Sequence, residues 1–113
     1  MSRNYRVYLE DIFQAIEKIE KFTTGFSLKK FSEDPKTVDA VIRNLEVIGE
    51  AAKNVPNYIR NQQSGVDWKK ICGLRDVLIH DYFGVDVEIV WDVAKHHVPV
   101  FKKQIQKLLE IFE

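Results

Sequence analysis

Arg75, His80 and Tyr82 fall within eight residues of one another, in the stretch W-K-K-I-C-G-L-R-D-V-L-I-H-D-Y-F from Trp68 to Phe83. Arginine offers a rigid fork for phosphate oxygens, histidine titrates near neutrality, and a tyrosine hydroxyl can donate, accept or be modified. Such a set suits phosphoryl chemistry and does not call for a metal. On a straight helix Arg75 and Tyr82 share almost one stripe, roughly 10 Å apart along the axis, while His80 points about 140° away from Arg75. One straight helix therefore cannot converge them. Leu74, Val77 and Leu78 mark the inward face, which leaves Ile79 on the outer side between Arg75 and His80, where an apolar side chain wants a cover. Either the helix breaks near His80, with Gly84 and Asp86 forming the exit, or a second protomer covers the surface across a two-fold axis. The dimer is the expectation.

The elements that must hold these residues read as helices throughout. Leu9, Ile12, Phe13, Ile16 and Ile19 repeat at three and four, so about 5–23 forms one amphipathic helix with Glu10, Asp11, Glu17, Lys18 and Lys21 opposite. Gly25, Ser32, Asp34 and Pro35 mark a connection, and Phe26, Leu28 and Phe31 within it point to a loop held against the core. Asp34 caps a second helix with Pro35 in its first turn, running to about Asn54 with Val38, Val41, Leu45, Ile48 and Ala52 along one seam. The polar stretch 58–65 reads as a short helix and turn, and Asp67 caps a segment starting at Trp68. A last helix from about Asp86 carries Val90, Val93, His97, Phe101, Ile105, Leu108 and Phe112 on one face, with a kink expected at Pro99. The expected architecture is a single all-α domain over 1–113, an up-and-down four-helix bundle with a short extra helix.

Composition removes several classes of function. Seventeen basic residues balance seventeen acidic ones in 113 residues, so no global charge draws the monomer to nucleic acid. One domain is expected, burying roughly 65% of the surface its unfolded chain exposes. No apolar run approaches the ~18 residues needed to span a bilayer, and the N-terminus lacks a secretory signal, so a cytoplasmic protein without membrane contact is expected. The single cysteine, Cys72, fits a reducing compartment and reads as a small buried hydrophobe.

Other polar residues have simpler readings. His96 and His97 are adjacent and lack the spacing of a helical zinc pair, so His97 is expected to be partly buried in the bundle and no metal is assigned. Glu46 and Glu50, with Arg43 and Lys53 nearby, read as ion pairs on a solvated face. Trp68 and Trp91 read as packing anchors. Lys69, Lys70 and Arg75 are offset by Asp67, Asp76 and Asp81, so no basic stripe for nucleic acid is visible and any such binding must come from folding and from assembly of several chains.

The spacing R-x4-H-x-Y at Arg75, His80 and Tyr82 resembles the signature of the HepT-like branch of the HEPN superfamily, small helical toxins paired with MntA-like minimal nucleotidyltransferase antitoxins. R-N-L-E-V-I-G-E-A-A-K from Arg43 to Lys53, W-K-K-I-C-G-L-R-D from Trp68 to Asp76, Phe83, Trp91 and Pro99 resemble the family pattern too, so the likeness covers nearly the whole chain. It implies a HEPN-type bundle acting as a homodimeric, metal-independent ribonuclease without cofactor, with Arg75 and His80 in a cleft between protomers. RNA would be the substrate and an MntA-like antitoxin the partner.

In cleavage by a neighbouring 2′-hydroxyl, His80 would exchange protons while Arg75 holds the phosphoryl oxygens as charge grows on them. Two protomers would supply two histidines, one as base and one as acid. The resemblance also implies Tyr82 as acceptor of AMP from the antitoxin, which would place a bulky anion in the cleft and repel substrate phosphate. Asp81 and Glu50 are supporting candidates, Glu50 because its G-E-A setting matches the family. The competing reading is a non-catalytic helical subunit that docks a nucleotidyltransferase.

Overall fold

The computed structural model describes residues 4–74 and 86–113, and the description that follows is confined to them. These residues are helical with short joins, and none of them forms a strand. The helix α1 spans Arg6–Thr23, α2 Leu28–Ser32, α3 Pro35–Lys53, α4 Asn57–Arg60 and α5 Trp68–Cys72. After the undescribed residues come α6, Val87–Asp92, a π-helical turn at Val93–His97, and α7, Val98–Ile111.

Both expected caps, Asp34 and Asp67, are in place, and Asp86 adds a third. The Asp34 carboxylate accepts from the Thr37 amide at 3.2 Å, with Pro35 opening α3, where a missing N–H costs nothing. Asp67 accepts from the Lys70 amide at 3.1 Å and Asp86 from the Glu88 amide at 3.0 Å, fixing the starts of α5 and α6. Between α1 and α2 the chain turns at Gly25, whose φ of +79° lies in the left-handed region open to glycine. Where a loop was expected, Ser27 accepts from the Lys30 amide and starts the five-residue α2. The loop reading missed this helix, though its packing was as expected: Phe31 is fully buried, its ring 5.1 Å from that of Trp91.

The core lies where α1, α3 and α7 meet. Leu9, Ile12, Ile16 and Ile19 of α1 face Val41, Leu45 and Ile48 of α3, with Ile105 and Leu108 of α7 closing the interior. Burying each such side chain is worth roughly 1.5–3 kcal/mol. One buried polar residue, Asn44, donates through its amide to the Ala40 carbonyl at 2.9 Å.

The last helix departs from its expected register. A straight α-helix would place His97 on the same stripe as Val90 and Phe101, but the turn at Val93–His97 is wider, with the Val98 amide donating to the Val93 carbonyl. Pro99 explains the break, because it has no N–H to offer the Lys95 carbonyl four residues earlier. Ala94 and Val98 take the buried positions, and the His97 side chain stands 63% exposed. The expectation of a partly buried His97 is thus corrected.

Candidate functional site

Arg75, His80, Asp81 and Tyr82 lie outside the described residues, as do Ile79, Phe83 and Gly84 and the expected helix break. The structure describes instead the frame from which this stretch leaves and to which it returns, Trp68–Leu74 on one side and Asp86 on the other.

The departure point is held by contacts of Trp68 and Arg60. Trp68 is almost fully buried, its ring edge-on to Phe101 at 5.9 Å and its indole N–H donating to the Gln63 carbonyl at 3.1 Å. Arg60 lies against the Trp68 ring, 5.7 Å from its centroid, and donates through Nη2 to the Ala52 carbonyl at 2.8 Å. That carbonyl belongs to the last turn of α3, where helices leave acceptors unpaired and favour a cation. The same Nη2 is 3.5 Å from Cys72 Sγ. Arg60 thereby ties the end of α3 to both ends of α5, a role that its place in a polar stretch read as a short helix and turn did not signal. Cys72 is half-buried against the core.

Glu50, the one candidate on a described element, sits exposed on α3 with its carboxylate 3.6 Å from Lys53 Nζ. It borders a shallow cleft between α1 and α3, together with Tyr8, Asp11, Arg43 and Asn54. The ion pair on a solvated face is as expected.

On the other side of α3 a cavity of about 110 Å³ opens beside Leu74, the residue before Arg75. Leu45 and Ile48, Ile71 and Leu74, and Val93, Val98 and Phe101 form its apolar walls, and Lys70 and His97 complete the lining. These two residues are far apart in sequence, and the exposed setting of His97 follows from the wide turn before Pro99. Among the described residues Lys70 makes no ion pair.

Asp92 bridges the two adjacent histidines, with Oδ1 2.9 Å from His96 Nδ1 and Oδ2 3.3 Å from His97 Nε2. The hydrogen bond from His96 outweighs the opposing effect of desolvation and, joined by the hydrogen bond from His97 and by the charge of both histidines, holds the Asp92 carboxyl below its ordinary 3.8. Among the described residues no group of three or more His, Cys, Asp or Glu side chains could hold a metal ion. No helix among them is long and apolar enough to cross a membrane.

The helical frame and the R-x4-H-x-Y sequence together define a class, the HEPN-type helical ribonucleases, and comparison with known proteins places the chain within it. The chain belongs to the ribonuclease HepT-like family, whose model matches residues 12–108, and it is accordingly an enzyme of the ribonuclease class. A protein of Thermococcus cleftensis named "Probable ribonuclease HepT" is 46% identical over 108 residues, covering 96% of this chain and 98% of its own length. One of Shewanella oneidensis named "mRNA nuclease HepT" is 30% identical, covering 67% of this chain and 75% of its own. No solved structure matches the chain significantly.

Proposed function

We propose that this ribonuclease is the toxin of a toxin–antitoxin pair, a homodimer that cleaves cellular RNA without a metal at Arg75 and His80. The observation that carries the reading is the intact R-x4-H-x-Y sequence inside a family match spanning residues 12–108. The relative in Shewanella, whose name gives it mRNA as substrate, supports RNA as the target here.

The chemistry follows from the two side chains. His80 of one protomer takes the proton from a ribose 2′-hydroxyl, whose oxygen attacks the adjacent phosphorus. The bond from phosphorus to the 5′-oxygen breaks, and a second His80, from the other protomer, gives that oxygen its proton. The products are a 2′,3′-cyclic phosphate and a free 5′-hydroxyl, with the proton count unchanged. Arg75 holds the non-bridging oxygens through its planar fork, which a lysine ammonium cannot reproduce. Glu50 and Asp81 are supporting residues in this scheme. Transfer of AMP from an MntA-like antitoxin to Tyr82 then blocks the cleft by charge and bulk.

Growth on induction tests the catalytic assignment. Expression of the parent chain arrests growth, and His80→Ala and Arg75→Ala each relieve the arrest while the purified variants still form dimers. Variants as toxic as the parent would remove both residues from catalysis. A monomeric parent that cleaves RNA at full rate would remove the shared cleft.

A further inference from the structure

The cavity beside Leu74 brings two features together. Its walls are apolar, and its rim carries a cation, Lys70, that no described acidic side chain pairs. Across the rim stands His97, whose Nε2 is engaged by Asp92 and whose Nδ1 has no partner among the described residues. An apolar cavity of ~150 Å³ lined by Leu, Ile and Phe takes up a benzene-sized ring. At about 110 Å³, and open on one side, this one has room for the inserted edge of a flat ring whose remainder stays at the mouth.

A flat ring joined to an anion is the chemistry of a nucleotide, and single-stranded RNA is read by proteins largely through bases turned out of the stack. Resting on the reading of this chain as an RNA-cleaving enzyme, we propose that the cavity between α3, α5 and α7 receives one unstacked base of the substrate RNA, with Lys70 on the neighbouring phosphate and His97 at the base edge. The π-helical turn is part of this site, because the straight helix would turn His97 into the core. Leu74 forms a wall of the cavity and is joined directly to Arg75, so a base held here belongs to a nucleotide close to the cleaved linkage. The site thus selects which linkage is presented, and the proton transfers belong to other residues.

The test uses the full-length protein and a five-nucleotide 2′-O-methyl RNA of mixed sequence, which cannot be cleaved through its 2′-oxygen. Replacing its nucleotides one at a time by abasic ones should weaken binding by about tenfold at one position, in the range measured for single stacked bases. Lys70→Ala should reduce the slope of log affinity against log salt by about 0.7, the share of one phosphate on a single strand. On cleavable RNA, Lys70→Ala and His97→Ala should raise KM about five- to tenfold with a much smaller change in kcat. Abasic substitutions without effect at every position would overturn base capture, and an unchanged salt slope would overturn the phosphate contact. If the two variants alter self-association and leave RNA affinity alone, the cavity is a protein interface and the proposal fails. Binding of the uncleavable RNA is read independently of His80, so failure of the catalytic assignment leaves this test intact.

Discussion

The guanidinium of Arg6, in the first turn of the first helix, donates to the carbonyl of Leu109 in the last turn of α7 at 2.6 Å. It also reaches the Phe112 carbonyl at 3.2 Å. These acceptors lie at the end of the chain, where a helix has no amides left to satisfy them. One cation therefore closes the C-terminal end of α7 and fastens it to the start of α1.

Arg6→Ala should destabilise the fold by about 1.5–3 kcal/mol, the range for hydrogen bonds that involve a charged group. Urea unfolding at neutral pH measures it. The nearby Glu10 contributes little, since its carboxylate is 3.9 Å away and half-exposed. Glu10→Gln should therefore shift stability by less than about 1 kcal/mol.

Arg60→Ala should cost more than its place in a short surface helix suggests, about 2–3 kcal/mol, because one side chain supplies both the bond to Ala52 and the contact with the Trp68 ring. Trp68 fluorescence should report the loosened packing. RNA cleavage should fall further than stability alone explains, since α5 leads directly into Arg75. Unchanged cleavage in a variant that is folded but destabilised would mean that α5 does not position the site.

Asp92 sets a pH dependence whose sign is fixed. Its carboxyl lies below the ordinary value in the folded chain, so its contribution to stability is complete above the unfolded value near 3.8 and is lost as pH falls through the lower folded value. The parent and Asp92→Asn should differ in stability at neutral pH and converge in acid. Because the group is exposed the difference is small, and NMR titration of the Asp92 carboxyl is the sharper measurement. Its midpoint should rise in His96→Ala, the histidine with the larger effect.

On the proposed function, incubation with ATP and an MntA-like nucleotidyltransferase should add AMP to the parent chain and not to Tyr82→Phe, as read by intact mass. Label retained by Tyr82→Phe would move the acceptor elsewhere.

Periodicity and caps made most of the frame legible. Asp34 and Asp67 each sit at the head of a segment with helical spacing and each caps a helix, because a short carboxylate there has few better partners than the free amides of the first turn; Asp86 does the same at the start of α6. The buried seam of α3 likewise follows from spacing alone. The short α2 escaped notice because five residues are too few to show a period, and only its Ser27 cap signals it. His97 was misplaced because a stripe drawn on a straight helix carries through a turn that Pro99 disrupts. The convergence of Lys70 with His97 depends on how α5 meets α7, which no local pattern contains. Arg60 was overlooked for a related reason, since its partners Ala52, Trp68 and Cys72 flank it on both sides of the chain.

The wide turn before Pro99 also has a bearing on how the sequence can change. A π turn holds one residue more than an α turn, so deleting a single residue between Val93 and His97 would leave an ordinary α turn with α6 and α7 still in phase and Trp91 still against Phe31. What the deletion removes is the slack that accommodates Pro99, whose ring would then crowd the carbonyl four residues earlier. A single deletion at this point is therefore expected to be tolerated better than one in the middle of α7, where nothing absorbs the change of phase.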